Sequence, residues 1–167
     1  MSFSLLSGLF KSRSPSVSTV KKGGITAILA AAVIFVGSNE GLRTTAYRDS
    51  VGVPTICYGE TLGVKLGQHK TKAECDVLFN NRLSEFWHGI HDPRKDGRYI
   101  KVPVSQKTDV ALVSFAYNIG LGGFRRSKTL ALLNQGKYTE ACNALMGWVK
   151  PPEVKNRRAR EKALCLE

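Results

Sequence analysis

Residues 40–59 read Glu40-Gly-Leu-Arg-Thr-Thr-Ala46-Tyr47-Arg-Asp49-Ser-Val-Gly52-Val-Pro54-Thr55-Ile-Cys57-Tyr-Gly59, and this stretch decides the fold class. Its Thr, Val and Tyr content suits short strands, and the turn-forming run Ser50 to Pro54 divides it in two. Glycines at 52, 59, 63 and 67 continue the punctuation, so residues 44 to 66 predict a small antiparallel sheet with tight turns. On the N-terminal side, residues 23–39 carry no charge and predict a helix ending at Gly41, a natural residue for the left-handed position past a helix end. Glu40 then sits in the last helical turn.

On the C-terminal side the period changes. Thr71-Lys-Ala-Glu74 spells a capping box, and Ala73, Val77, Leu78, Phe86 and Trp87 follow at mostly helical spacing. A polar loop over 91–101 leads to four further helices over 104–117, 127–135, 139–147 and 156–165, the second opened by Ser127 as N-cap and closed by Gly136. The expected fold class is α+β, a small sheet-containing lobe followed by a mainly helical one, with the cleft between them as the default site.

With 167 residues, 43% hydrophobic and 23% charged, the chain is sized for one domain with a buried core, which excludes a disordered or multi-span membrane protein. Its 25 Lys and Arg outweigh 13 Asp and Glu, and the net +12 calls for an anionic partner. Lys11, Arg13, Lys21 and Lys22 stand before residue 23 without any acid, so only +8 belongs to the rest of the chain.

The run GGITAILAAAVIFVGSN, residues 23–39, makes a helix of about 25 Å, just short of the ~30 Å hydrocarbon core. Three readings compete. A cleaved signal peptide has the right charge order, but its leader is long and cleavage would leave only Asn39 ahead of Glu40. A buried core helix fits on length, and an uncleaved anchor fits the weak apolarity behind Lys21-Lys22. The anchor is carried forward: residues 1–22 a basic cytoplasmic leader, 23–39 a signal-anchor, 40–167 the catalytic domain.

At the end of a helix, near Phe35 and Val36, Glu40 meets the negative end of the helix dipole and little solvent; both favour the neutral carboxyl that a general acid needs. Asp49 closes the first expected strand and Thr55 opens the second, so the two can lie across a strand spacing of about 4.8 Å. An acid, a carboxylate and a hydroxyl around a cleft suit cleavage of a glycosidic bond. Spacing alone favours the plainer reading, with Glu40 a helix-end charge and Asp49 a turn residue.

The same run resembles the active-site segment of the phage-type lysozymes, the family of T-even and lambdoid endolysins, with Glu, then Asp nine residues on, then Thr six further. The likeness continues to about residue 165 through Thr71-Lys-Ala-Glu-Cys75, Phe115-Ala-Tyr117-Asn118-Ile-Gly120, Gly123-Phe124 before Ser127, and Arg157-Arg158 with Glu161. It implies a lysozyme-like fold and a monomeric enzyme without cofactor or metal. It further implies Glu40, Asp49 and Thr55 as catalytic residues, Tyr117, Asn118 and Ser127 lining the sugar cleft, and Arg157 there too, paired with Glu40. The implied reaction is hydrolysis of the β-1,4 bond between N-acetylmuramic acid and N-acetylglucosamine in peptidoglycan glycan strands, lysing a bacterial host. The chain departs from the family pattern at Pro54, where an aromatic is usual, at Glu60, where many members have His, and over Pro151 to Val154.

The weakly apolar segment before Glu40 resembles that of the signal-arrest-release endolysins. This implies a chain held on the host inner membrane with its C-terminal domain in the periplasm, then released to the periplasm. Anchored, Glu40 is pinned at the interface; released, residues 23–39 refold as the first helix of the domain. Export makes disulfides expected among the four cysteines. Cys57 follows Thr55 on its strand and Cys75 opens the next helix, while Cys142 and Cys165 share the helical lobe, so pairs 57–75 and 142–165 are favoured and the other two connectivities stay open.

Rival readings are weaker. His69, His88 and His91 lack zinc spacing. The basic residues Arg125, Arg126, Lys128 and Arg157 to Arg160 come without a nucleic-acid recognition motif, so no nucleic-acid partner is expected. The alternative from another class is a membrane-tethered peptidoglycan-binding protein without turnover.

Overall fold

The computed structural model of the chain describes residues 22–94 and 97–167, and most of the expected basic leader lies outside them. Helix α1 (Lys22–Glu40) is apolar on all sides and buries one seam, Ile28, Ala32 and Val36, four residues apart. That seam packs on α2 (Lys72–His91) and α3 (Gln106–Arg125). Residues 23–39 are thus part of the domain core in this structure, and among the described residues no helix is long and apolar enough to cross a membrane.

The sheet is a single hairpin of β1 (Arg43–Arg48) and β2 (Pro54–Cys57), antiparallel, with Tyr47 opposite Thr55 and Arg48 opposite Pro54. Residues 58–66 form turns rather than further strand, because Ile56 and Glu60 bridge backbone to backbone and reverse the chain at once. Helix α2 opens on the expected capping box: Thr71 Oγ1 accepts from the Glu74 N–H at 3.2 Å and Glu74 Oε2 accepts from the Thr71 N–H at 2.7 Å. Its buried face, Phe79, Leu83, Trp87 and Ile90, meets α3.

Helix α3 is the spine of the helical lobe, with every residue from Thr108 to Ala116 buried. It runs past Tyr117, where the sequence suggested an end, to Arg125. The bridge is Gly120, whose φ of 76° breaks the helical geometry and lets the chain restart with Leu121 to Arg125 in helix. Ser127 caps α4 (Lys128–Leu133), and α5 (Tyr138–Ala144) and α6 (Lys155–Leu166) close the lobe, α6 packing along α3. Both favoured disulfides are present. Cys57–Cys75 ties β2 to the start of α2, and Cys142–Cys165 ties α5 to the end of α6. The fold is α+β with two lobes of unequal size, as expected.

Candidate active site

The site grows from the end of α1. Glu40 is its last residue, and Gly41 at φ 65° takes the left-handed step that turns the chain away and leaves the Glu40 side chain at the helix end. On its buried side, Glu40 Oε1 accepts a hydrogen bond from Arg157 Nη1, and the side chain keeps 18% of its surface exposed. On the other side stands the turn after β2. A Cβ on Gly59 would lie 3.5 Å from Glu40 Oε2, so bare backbone approaches that oxygen, and the φ of 91° there also calls for glycine.

The hairpin supplies the other two candidates. Asp49 is half-buried one residue past β1, and its Oδ1 accepts from the backbone N–H of Val51 at 3.0 Å and Val53 at 2.8 Å. These bonds lock the turn, and among the described residues Oδ2 takes no hydrogen bond. Thr55 is 3% exposed and its Oγ1 donates to the Val53 carbonyl at 3.0 Å. The direct neighbour of Asp49 across the hairpin is Val53, not Thr55, since β1 ends at Arg48 and the register pairs Tyr47 with Thr55. Asp49 and Thr55 therefore share a face on the diagonal, about 7–8 Å apart between backbones rather than one strand spacing.

The expected cleft residues separate. Tyr117 is half-buried, donates from its hydroxyl to the Tyr58 carbonyl at 2.8 Å and packs on Phe79 and Phe86. Burial, then the negative charges of Glu40 and Glu60, push its hydroxyl well above the usual tyrosine range, so it stays a neutral donor. Asn118 is exposed, its Oδ1 accepting from Arg158 Nη2 at 2.8 Å. Ser127 is 3% exposed, and its Oγ accepts from the Leu130 N–H as the α4 cap. Arg157 is buried too and reaches Glu40 from behind.

Sequence reasoning missed how Arg157 is held. Its Nε donates to Glu161 Oε1 at 3.1 Å and its Nη2 to the Ser114 carbonyl at 3.0 Å, while Ser114 Oγ donates to the same Glu161 oxygen at 2.6 Å. The i,i+4 spacing of Arg157 and Glu161 looks the same on a solvated face, and the resemblance at Arg157-Arg158 and Glu161 named the residues without their bonds. Glu60 was noticed only as a departure. In the structure it takes a two-pronged bond from Arg82, Nε to Oε2 at 3.0 Å and Nη2 to Oε1 at 2.6 Å, and also accepts from the backbone of Thr61 and Leu62. Burial pushes the Glu60 carboxyl up, but Arg82 and those two N–H groups outweigh it and hold it below the usual range. The histidines do not converge. His69 bonds Thr45, His91 bonds the buried Asp109, and among the described residues no three His, Cys, Asp or Glu side chains group to hold a metal.

A carboxyl at a helix end, with a second carboxylate and a hydroxyl on one hairpin, is a set of groups that can divide acid and base work on a glycosidic bond. The profile of the family described as phage lysozyme matches residues 37–161, which takes in every one of these groups. The chain belongs to the phage lysozyme family. The SAR-endolysin of bacteriophage PS119 is 38% identical over 160 residues, spanning 90% of this chain and 92% of that protein. Among solved structures, the muramidase domain of SpmX from Asticaccaulis excentricus is 31% identical with a TM-score of 0.72, covering 82% of this chain and 95% of that one. A mutant of P22 lysozyme is 31% identical with a TM-score of 0.69, covering 83% and 97%. The phage lysozyme match opens at Gly37, so most of α1 lies ahead of it while Glu40 lies inside.

Proposed function

We propose that this chain is a phage endolysin that lyses its host by hydrolysing the β-1,4 bond between N-acetylmuramic acid and N-acetylglucosamine in peptidoglycan, with Glu40 as general acid and Asp49 and Thr55 as the groups that orient water. One observation carries the reading: Glu40 is gripped by Arg157 on its buried side while its other oxygen borders the Gly59 turn, within the family match. Glu40 gives its proton to the glycosidic oxygen as the bond to the muramic acid C1 breaks. Water adds to that carbon, and Asp49 Oδ2, the oxygen not spent on the turn, accepts the proton it loses. Thr55 Oγ1 borders the same face of the hairpin and fixes the direction of the water.

The same reading extends to location. The basic leader, the charge-free run 23–39 and the SAR-endolysin name of the 38% identical relative support a chain held on the host inner membrane by residues 23–39 and later released to the periplasm as a monomer. The packing of α1 in the domain core, with Glu40 at its end bonded to Arg157, supports this reading of the released form. A clearing assay on isolated cell walls tests the activity. Glu40→Gln, nearly isosteric, is expected to clear none, and clearing at the wild-type rate would remove Glu40 from the mechanism.

A further inference from the structure

Four ionisable groups meet under the end of α1, and the proposed acid is only one of them. Arg157 and Arg158 are 7% and 0% exposed, and Glu161 is 0% exposed. Burying such a set costs more than apolar side chains of the same size would, so packing stability is a poor account of it. Its bonds point instead at one atom. Glu161 Oε1 collects the Arg157 Nε and the Ser114 Oγ, and the Ser114 carbonyl collects Arg157 Nη2, so the guanidinium is fixed along two edges and Nη1 alone is left for Glu40. The second Glu161 oxygen lies 2.9 Å from Arg158 Nη1, yet neither atom completes a hydrogen bond of good angle. Arg158 is held elsewhere, by Asn118 and over the Phe115 ring.

We infer that Glu161 is a positioning residue for Glu40: it locks the Arg157 fork in direction and shares its positive charge, so that Glu40 is aimed into the cleft and still able to hold the proton it donates. The inference rests on the reading of Glu40 as the general acid. A guanidinium facing a single carboxylate would favour the ionised form outright, and a second carboxylate on the same fork divides that attraction. Around Glu40 the charged and titratable groups are Arg157 and, further off, Arg158 from α6, Arg160 of the same helix bonded to Ser38 and Asn39, Tyr117 from α3 and, past the hairpin, Glu60 with its Arg82 partner. Around Glu161 they are Arg157 and Arg158 of its own helix and Glu40 beyond them, with neutral Ser114 from α3. Burial pushes the Glu161 carboxyl up, while Arg158, Ser114 and Arg157 pull against that rise.

The test is the pH profile of kcat/KM on isolated peptidoglycan for the released full chain. Glu161→Gln keeps the shape and an acceptor but removes the shared negative charge. Its basic limb, where the general acid has lost its proton, is expected about one pH unit lower than wild type, a tenfold change in proton affinity, with KM little altered. A basic limb at the wild-type position, with only the melting temperature lowered, overturns the inference. Should Glu161→Gln fail to hold its fold, Glu161→Asp, whose shorter carboxylate draws back from Arg157, is expected to move the limb the same way by a smaller step, and an unmoved limb there is equally fatal. Glu40→Gln separates the two readings: if it stays active, the assignment of the acid fails. If it is dead and the Glu161 variants keep the wild-type limb, the positioning role alone fails.

Discussion

On the proposed reading helix α1 exchanges between the domain and the membrane, and two substitutions on it pull that balance in opposite directions. Val36 is 0% exposed in the core seam, one turn before Glu40. Val36→Ala removes two carbons at about 0.8 kcal/mol each and leaves a small cavity, a loss of about 2–3 kcal/mol from the packed state. The same change takes only about 0.3–0.6 kcal/mol from membrane insertion. Packing therefore decides: the equilibrium moves toward the membrane-held form by about 2 kcal/mol, roughly 30-fold. Ile34 lies on the outer face at 76% exposure, so Ile34→Ala loses the insertion energy with almost no packing. Urea unfolding of the released full chain reads the packing term. With a slope near 2 kcal/mol/M, Val36→Ala is expected to lower the midpoint by about 1 M, and Ile34→Ala to leave it in place. Fractionation of expressing cells reads the balance, with the soluble share falling for Val36→Ala and rising about twofold for Ile34→Ala. An unmoved midpoint for Val36→Ala, or a soluble share that rises more than that of Ile34→Ala, would refute the reasoning.

Two further outcomes follow from groups that flank the site. The disulfides close loops of 18 and 23 residues, so removing either pair by a double Cys→Ala change is expected to cost about 3 kcal/mol, seen as a lower urea midpoint in the released chain. A reductant is expected to produce the loss of both in the wild type and no further change in a chain already lacking them. Glu60, held below the usual carboxylate range, contributes stability that is full above the unfolded carboxylate value near pH 4.5 and is lost as the pH falls through its lower folded value. Glu60→Gln is therefore expected to melt below wild type at pH 7 and to approach it at pH 2, and parallel melting curves at both pH values would count against the Arg82 pairing.

Local chemistry was legible from the residues themselves, whereas distant chemistry was legible only in part, in the two disulfides and in the Glu40–Arg157 pair that the resemblance implied. The Thr71 capping box is written in four adjacent residues and forms as read, and Gly41 marks the end of α1 for a reason confined to its own backbone. The diagonal placement of Asp49 and Thr55 was missed because register depends on where β1 stops, and Tyr47 pairing with Thr55 shifts every partner beyond it. The length of α3 was missed because Gly120, Gly122 and Gly123 look like a loop, whereas one positive φ at Gly120 suffices and the flanking turns stay helical. The cradle around Arg157 joins α1, α3 and α6 across more than a hundred residues, and no spacing rule connects Ser114 with Glu161 or either with Glu40. Ser127 belongs with the local cases, since the N-cap read from its sequence is the bond its hydroxyl makes, accepting from the Leu130 N–H.

The central claim, that Glu40 drives hydrolysis of the muramic acid to glucosamine bond, is tested most directly by mass spectrometry of the fragments released from purified peptidoglycan in water enriched in oxygen-18. Fragments ending in reducing N-acetylmuramic acid that carry one heavy oxygen are expected from the wild type, and none from Glu40→Gln. Fragments ending in reducing N-acetylglucosamine, in an unlabelled anhydro-muramic acid, or in free stem peptides would contradict the claim.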